Sequence, residues 1–191
     1  MKIAITGGIG SGKSYVCRLL EERGACVYDC DAAAKRLMRQ DASLRQALME
    51  LVGPHVYQGD VLQKAVLAQF LLAGEANKQA INDVVHPAVA RDFMQSGKTW
   101  CESAILFESG FCRRVPFDMV VCVTAPVEVR LGRVMQRDGI SRDKALAWIE
   151  AQMPQQEMAA RSDWQIVNDG QSDIAAQVDT LLARVAARQM G

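Results

Sequence analysis

The sequence predicts an α/β fold with a mostly parallel five-stranded sheet that two helical excursions interrupt. Five short apolar runs lie along the 191-residue chain, at residues 3–6, 26–28, 99–107, 119–124 and 164–167. These runs are continuous rather than alternating, which is typical of parallel strands covered on both faces. Segments with helical periodicity lie between the runs. Strands that alternate with helices favour a sheet with helices packed on its faces.

A complete phosphate-binding motif follows the first strand. Residues 7–14 read Gly-Gly-Ile-Gly-Ser-Gly-Lys-Ser, which matches G-x-x-x-x-G-K-[ST] in full. The glycines allow a tight turn that points backbone N–H groups at phosphate oxygens. Lys13 can place a cation on the β- and γ-phosphates, and the Ser14 hydroxyl is a hard oxygen ligand suited to Mg²⁺. Residues 15–20 then predict a helix whose N-terminus adds a positive dipole to the site.

The motif predicts a P-loop NTPase core that binds ATP and Mg²⁺. Ser14 is the predicted ligand of the metal ion. The alternative is a glycine-rich turn that binds nothing, and the strand before the motif and the helix after it argue against this alternative. The predicted ATP-binding residues are those of the loop and the turn that follows it: Gly8, Ile9, Gly10, Ser11, Gly12, Lys13, Ser14 and Tyr15.

A helical insert is predicted between the second and third strands, at residues 32–95. This interval is too long for a single crossover helix. Three apolar stripes with helical spacing lie in it, at residues 44–51, 61–72 and 81–88. Ser43 is the expected cap of the first stripe. We expect the whole insert to be helical.

A second helical excursion, at residues 127–162, precedes the last strand and is rich in arginine. Arg133 and Arg137 are four residues apart, so they would share one side of a helix. Phosphoryl transfer depends mostly on positioning and charge stabilisation, so mobile arginines that close over phosphates would suit a lid. The alternative is an exposed, solvated face. The predicted core therefore consists of residues 1–31, 96–126 and 163–191.

Composition limits the partners and the location. Lysine plus arginine equals aspartate plus glutamate at 22 each, which gives no general support for nucleic-acid or membrane binding. No apolar run approaches the roughly 20 residues needed to span a bilayer, and the N-terminus does not resemble a signal peptide. The six cysteines form no C-x-x-C pair, so we expect reduced thiols in a cytoplasmic protein. A monomer is expected.

Two carboxylates follow the second strand, at Asp29 and Asp31. Ligands of doubly wound sheets bind outside the carboxyl ends of the strands. Residues i and i+2 of an extended segment share a side, so both carboxylates could face one cleft. One could accept the proton of a substrate hydroxyl while the other orients a water of the Mg²⁺ shell. Alternatively, Asp31 could cap the helix that follows it.

Five stretches together resemble the dephospho-coenzyme A kinase family. They are residues 6–14, Val-Tyr-Asp-Cys-Asp at 27–31, Val-His-Pro at 85–87, Ile-Leu-Phe-Glu at 105–108 and the lid-like Arg-Val-Met-Gln-Arg-Asp at 133–138. The likeness runs in order from residue 1 to about residue 170. The phosphate loop is shared with many kinases, whereas the combination of Asp-x-Asp, His-Pro and Leu-Phe-Glu is much more specific.

The resemblance implies ATP-dependent phosphorylation of the ribose 3′-hydroxyl of dephospho-CoA, the last step of coenzyme A synthesis. It makes residues 32–95 a substrate domain and residues 127–162 a lid, and it matches Asp31 to the family's proposed general base. Glu108 would end the third strand beside the phosphates. His86 would face the cleft, although capping or packing before Pro87 stays open for this residue. The implied catalytic residues are Asp31, Lys13, Arg133 and Arg137, and the implied substrate-binding residues are Asp29, Asp31, Lys35, His86 and Glu108.

The chain departs from the family pattern at several positions. Tyr15 stands where threonine is usual, and Lys35 stands where arginine is usual. Met158-Ala159-Ala160-Arg161 retains one basic residue where the family often has consecutive ones, and Val167 replaces the Asp of an Ile-Asp-Asn. Two alternatives stay open from the residues alone. One is a nucleoside or nucleotide kinase on the same core, and the other is a nucleotide-dependent switch without phosphoryl transfer.

Overall fold

A computed structural model describes residues 1–190 of the chain and contains a five-stranded sheet in the order β2-β5-β1-β6-β7. β1 pairs in parallel with β5 and with β6, and β6 pairs in parallel with β7. The predicted parallel sheet is therefore confirmed. Its strands are β1 (Ile3–Thr6), β2 (Val27–Asp29), β5 (Trp100–Glu102), β6 (Met119–Thr124) and β7 (Trp164–Val167).

Nine helices lie between the strands or follow them within the described residues. They are α1 (Lys13–Glu22), α2 (Cys30–Gln40), α3 (Ala42–Val52), α4 (Lys64–Leu72), α5 (Glu75–Gln95), α6 (Val127–Asp138), α7 (Arg142–Glu150), α8 (Gln155–Ala160) and α9 (Ile174–Met190). None of these helices is long and apolar enough to cross a bilayer, within the part of the chain that the structure describes.

Contacts divide the chain into two units. The first unit comprises residues 1–28, 98–108 and 116–191, and the second comprises residues 29–97 and 109–115. In the first unit every residue of β1 is buried, as is typical of a central strand in a parallel sheet. α1 and α9 contribute buried side chains such as Val16, Leu20 and Leu181 to the core around the sheet. The position of the sheet fixes the loop that leaves the end of β1.

The second unit is built mainly from α2, α3, α4 and α5. Leu48 and Phe93 are fully buried in it, and Leu44 and Val56 are buried nearby. It also contains a short antiparallel hairpin of β3 (Tyr57–Gln58) and β4 (Val61–Leu62). The expectation that residues 32–95 are wholly helical is therefore wrong at this hairpin, because its two-residue strands are too short to show a period in the sequence.

Two further expectations about local structure are wrong. The third strand was expected to reach residue 107, but it ends at Glu102 and is followed by turns. The cap of α3 is Asp41 rather than Ser43, because the Asp41 carboxylate accepts a hydrogen bond from the Leu44 amide at 2.9 Å. A carboxylate in the extended residue just before a helix satisfies an amide that has no helical partner.

Candidate active site

The loop between β1 and α1 has the backbone that the glycine pattern predicts. Gly10 and Gly12 have φ values of 77° and 91°, which disfavour residues with a side chain. A Cβ at Gly12 would lie 2.1 Å from the Asn168 Nδ2, and one at Gly10 would lie 2.7 Å from the Arg130 backbone oxygen. Glycine is therefore required at both positions by conformation and by space.

Lys13, at the start of α1, lies against the loop itself. Its Nζ donates a hydrogen bond to the Gly7 carbonyl oxygen at 2.7 Å and a longer one to the Gly8 oxygen at 3.4 Å. The side chain is only 9% exposed. Gly12, the residue before α1, makes no side-chain capping hydrogen bond to the first turn of the helix. The buried ammonium group of Lys13, the N-terminus of α1 and the glycine-rich turn together form a binding site for an anion.

Glu102, at the end of β5, lies beside the start of α1. The Ser14 hydroxyl donates to the Glu102 Oε1 at 3.3 Å. Burial and then the Glu102 carboxylate raise the pKa of the neighbouring Cys17 thiol far above its usual range. The described residues contain no group of three or more His, Cys, Asp or Glu that could hold a metal ion. Ser14 and Glu102 are nevertheless oxygen donors of the kind that Mg²⁺ accepts alongside substrate phosphates and water.

Arg130, on α6, is a buried arginine that contacts the loop. Its Nε donates to the Ile9 carbonyl oxygen at 2.9 Å, and its side chain is 4% exposed. Burial lowers the pKa of the guanidinium below its usual range. A Cβ at Gly8 would lie 2.3 Å from the Arg130 Nη2. The Gln152 side chain accepts a hydrogen bond from the Ile9 amide at 2.6 Å, so both backbone groups of Ile9 are held.

Arg133, one turn after Arg130 on α6, holds the loop from its carbonyl side. Its Nη1 donates to the Gly10 and Ser11 oxygens at 3.2 and 3.3 Å. Its Nη2 donates to the Asn168 side-chain oxygen at 2.9 Å, and the Asn168 Nδ2 donates to the Ser11 oxygen at 2.9 Å. The Ser11 hydroxyl itself is buried without a hydrogen-bond partner among the described residues. The loop is thus fastened at several atoms to α6 and to the end of β7.

Arg137, one turn further along α6, donates its hydrogen bonds to Asp138, and none goes to the loop among the described residues. It is exposed, and its guanidinium forms an ion pair with the Asp138 carboxylate at 2.7 Å. Tyr15, in the first turn of α1, is also exposed, and the Arg18 guanidinium lies 5.7 Å from its ring centroid. These two residues keep surfaces that a ligand could reach.

The two carboxylates after β2 have different local roles. Asp29 is the N-cap of α2, and its carboxylate accepts a hydrogen bond from the Ala32 amide at 2.9 Å. Asp31 lies inside the first helical turn, so the expectation that it caps the helix is wrong. Because α2 begins at Cys30, the extended alternation expected of the pair ends before Asp31. The Asp31 side chain is exposed, and Lys35 is exposed one turn later on the same face.

His86 lies in the middle of α5, in the second unit. Because α5 continues through Pro87, a capping role for His86 is excluded. The imidazole packs edge-on against Phe111, with ring centroids 5.8 Å apart, and its Nδ1 is buried without a hydrogen-bond partner among the described residues. Burial lowers the pKa of His86 below 6.5, a hydrogen bond to the Ser109 backbone opposes this shift, and the charge of Arg114 adds to it.

We expect His86 to titrate below 6.5 in the folded protein. A lowered pKa means that the unfolded chain binds the proton more readily than the folded protein does. The contribution of neutral His86 to the free energy of unfolding is therefore complete above pH 6.5 and is lost as the pH falls through the lowered pKa. NMR of the imidazole protons measures the titration, and a His55→Gln variant assigns the two histidine signals. A His86 midpoint at or above 6.5 would contradict this account of its burial.

Glu108 belongs to the turns after β5 rather than to the strand, so the expectation that it ends the third strand is wrong. Its Oε1 accepts a hydrogen bond from the Met153 amide at 3.2 Å. This contact joins it to the segment between α7 and α8. A role for Glu108 in substrate binding stays a prediction.

The structure places the loop, Lys13, Ser14 and Arg133 together in the first unit, where Arg133 donates to loop carbonyl oxygens. It places Asp31, Lys35 and His86 in the second unit. Sequence reasoning missed the contributions of four residues: Glu102, Arg130, Gln152 and Asn168. Asn168 could have been found, because it directly follows the last strand, where ligand sites of such sheets lie.

Comparison with known proteins gives one consistent result. A family model described as dephospho-CoA kinase (CoaE) matches residues 1–173. A curated dephospho-CoA kinase from Bacteroides fragilis is 40% identical over 190 residues, which cover 96% of this chain and 92% of that protein. A Thermus thermophilus crystal structure has a TM-score of 0.79 and 34% identity, with 100% and 98% of the two chains covered. A dephospho-CoA kinase structure from Campylobacter jejuni, 19% identical with a TM-score of 0.68 over 99% of this chain and all of that one, shares the fold.

Proposed function

The chain belongs to the dephospho-CoA kinase family, and from this premise we propose how its residues carry out the reaction. The reaction transfers the γ-phosphoryl group of ATP to the ribose 3′-hydroxyl of dephospho-CoA and gives CoA and ADP. The observation that carries the assignment of residues is the phosphate loop, with Lys13 buried against its carbonyl oxygens. The alternative of a nucleoside or nucleotide kinase is not favoured by the comparisons.

ATP is bound by the loop amides and by the N-terminus of α1. Lys13 turns from the Gly7 and Gly8 oxygens to the β- and γ-phosphates when these arrive, since phosphate oxygens are stronger acceptors for an ammonium than neutral carbonyl groups. Arg130 and Arg133 keep the loop backbone in shape through its carbonyl oxygens. A preorganised loop needs no rearrangement in the transition state, where it stabilises charge on the moving phosphoryl group.

Mg²⁺ fits the donors at the start of α1. Ser14 would hold the ion directly. Glu102, which accepts a hydrogen bond from the Ser14 hydroxyl, would orient a water molecule in the hydration shell of the ion. When bound, Mg²⁺ neutralises charge on the β- and γ-phosphate oxygens. Both donors lie in the first unit with the loop, which supports this placement.

Asp31 accepts the proton of the 3′-hydroxyl group. Two observations support this role over Asp29. The Asp29 carboxylate is engaged as the cap of α2, whereas no hydrogen bond from the described residues engages the carboxylate of Asp31. An exposed carboxylate at the start of a helix remains available to a substrate hydroxyl.

The remaining residues complete the proposal. Asp29, Lys35, His86 and Glu108 are proposed to contact dephospho-CoA, residues 32–95 to form the substrate domain, and residues 127–162 to form a lid over ATP. A monomer in the cytoplasm is also proposed, with the described cysteines as free thiols.

Acceptor-dependent release of ADP tests the function. The purified protein is expected to release ADP from Mg·ATP when dephospho-CoA is added, and to form a product with the mass of CoA. Adenosine and nucleoside monophosphates are the comparison acceptors. Preferential transfer to a nucleoside monophosphate would overturn the assignment, and ADP release that no acceptor stimulates would indicate a nucleotide-dependent switch.

Replacing Arg133 by Ala is expected to lower kcat/KM for ATP by about tenfold to a hundredfold. The change removes a guanidinium that fixes the Gly10 and Ser11 carbonyl oxygens, and hydrogen bonds to charged groups contribute about 1.5–3 kcal/mol each. Arg137→Ala is the comparison, since it removes the same charge one turn away from the loop contacts. If the Arg137 variant lost more activity in steady-state kinetics, the main lid arginine would be Arg137.

A further inference from the structure

The arginines of α6 differ in how far their guanidinium groups are engaged. Arg133 directs both of its terminal nitrogens at oxygen acceptors, which lie in the loop and on Asn168. Arg137 is bound to the Asp138 carboxylate through Nε and Nη2. Both guanidinium groups therefore already have acceptors within the first unit.

Arg130, at the start of the same helix face, has donors that nothing in the chain accepts. Its Nε donates to the Ile9 carbonyl oxygen, and no other hydrogen bond or ion pair engages the guanidinium among the described residues. A guanidinium carries N–H donors on all three of its nitrogens, so those on Nη1 and Nη2 remain. An arginine on the surface would give these donors to water, but Arg130 is only 4% exposed. The unused donors of Arg130 therefore indicate a ligand.

The charge of Arg130 indicates that this ligand is an anion. Burial lowers the pKa of the guanidinium, because removal from water disfavours the charged form. A buried cation is costly unless an anion accompanies it. The neighbouring Cys122 does not supply that anion, since burial raises the pKa of its thiol to about 11 even though the charges of Lys13 and Arg130 oppose the rise. A bound anion would supply the missing negative charge.

The position of Arg130 places its unused donors at the phosphate loop. A Cβ at Gly8 would lie 2.3 Å from the Arg130 Nη2, so the guanidinium packs on the Cα of a residue that has no side chain to exclude it. The ammonium group of Lys13 lies 3.4 Å from the carbonyl oxygen of the same glycine. The charges of both cations also act on the thiol of Cys122, on β6. Two buried cations thus approach the loop at Gly8, and a phosphate held there could bind both of them.

We propose that Arg130 binds the γ-phosphate of ATP through Nη1 and Nη2 while its Nε stays on the Ile9 oxygen. The terminal phosphate of ATP carries more charge than the inner ones, and the planar fork of donors on a guanidinium matches two of its oxygens. Arg130 thereby neutralises charge on the phosphoryl group that moves to the acceptor. The inference rests on the proposed function and adds to it a catalytic residue besides Arg133 and Arg137.

The affinities for Mg·ATP and Mg·ADP, measured by calorimetry, separate a bond to the γ-phosphate from support of the loop. Arg130→Gln removes the charge and keeps a side-chain donor for the Ile9 oxygen. It is expected to raise Kd for ATP about tenfold, the scale of one lost hydrogen bond between charged groups, and to leave Kd for ADP unchanged. Arg133→Gln is the comparison, because loss of its loop contacts should weaken both nucleotides equally. Arg184→Gln is the control, because this arginine of α9 is exposed and stacks on Trp164.

Equal losses for ATP and ADP in Arg130→Gln would overturn the proposal and leave Arg130 a structural part of the loop, and unchanged binding of ATP would overturn it too. Arg130→Lys keeps the buried charge but lacks the fork of donors, and it carries the same comparison if thermal unfolding shows that the glutamine variant does not fold. The calorimetry needs no acceptor. A wild-type protein that did not phosphorylate dephospho-CoA would therefore refute the proposed function, while the two nucleotides would still decide the role of Arg130.

Discussion

Replacing Asp31 by Asn is expected to lower kcat for dephospho-CoA by about a hundredfold or more, the scale of general-base assistance. Asparagine keeps the size of the side chain but cannot accept the proton of the 3′-hydroxyl group. The helix should form normally, because the N-cap of α2 is Asp29 and not Asp31. Steady-state kinetics give kcat, and fluorescence titration with a nucleotide gives the affinity for ATP, which should change little.

Two other Asp→Asn variants make this result interpretable. Asp41→Asn is the control, because Asp41 caps α3 as Asp29 caps α2, and asparagine serves equally well as a cap. Asp29→Asn likewise keeps the N-cap of α2, so any loss of kcat in this variant measures what the charge of the Asp29 carboxylate contributes to the reaction. Near-normal turnover of the Asp31 variant would remove Asp31 from the role of base. A larger loss in the Asp29 variant would assign the role to Asp29.

The sequence predicted the sheet and the phosphate loop well because their signals are local. A continuous apolar run, a glycine-rich turn and the start of a helix follow one another within residues 3–20, and each constrains the next. Local signals failed at residues 99–107, where an apolar run continues from a strand into turns. Residues 99–107 are apolar enough for a strand, yet pairing with β1 involves only Trp100 to Glu102, and the chain then turns. Strand length depends on the partner, which the sequence of the run does not contain.

The missed residues of the site depend on contacts between distant parts of the chain. Arg130 lies 121 residues from Ile9, and Asn168 lies 157 residues from Ser11. From the sequence, Arg130 was one of several arginines in a helical stretch, and nothing distinguished the buried one from the exposed Arg137. Burial of an arginine is decided by tertiary packing. Glu102 was missed for another reason. The sequence predicted a third strand that reaches residue 107, so Glu102 was not expected at the end of that strand.

Replacing Lys13 by Met is expected to lower kcat/KM by about a thousandfold, because losing one preorganised group that stabilises transition-state charge costs about 10² to 10³ in rate. Methionine keeps most of the apolar stem of the lysine and removes the ammonium group. The 9% exposed side chain lies against the loop, so methionine fits better than a bulkier arginine. Kinetics with varied Mg·ATP measure the loss, and equilibrium binding of ATP separates weaker binding from slower transfer.

The control for Lys13→Met is Lys78→Met, which removes an exposed lysine whose ion pair with Glu75 at 2.6 Å lies on the surface of α5. Exposed pairs of this kind contribute little to stability, so this variant should keep wild-type kinetics. Thermal unfolding confirms that the Lys13 variant is folded. If the folded Lys13 variant kept wild-type kcat/KM, the ammonium group would not act on the phosphates. Its hydrogen bonds to the Gly7 and Gly8 oxygens would then be its whole role, and it would be a structural part of the loop.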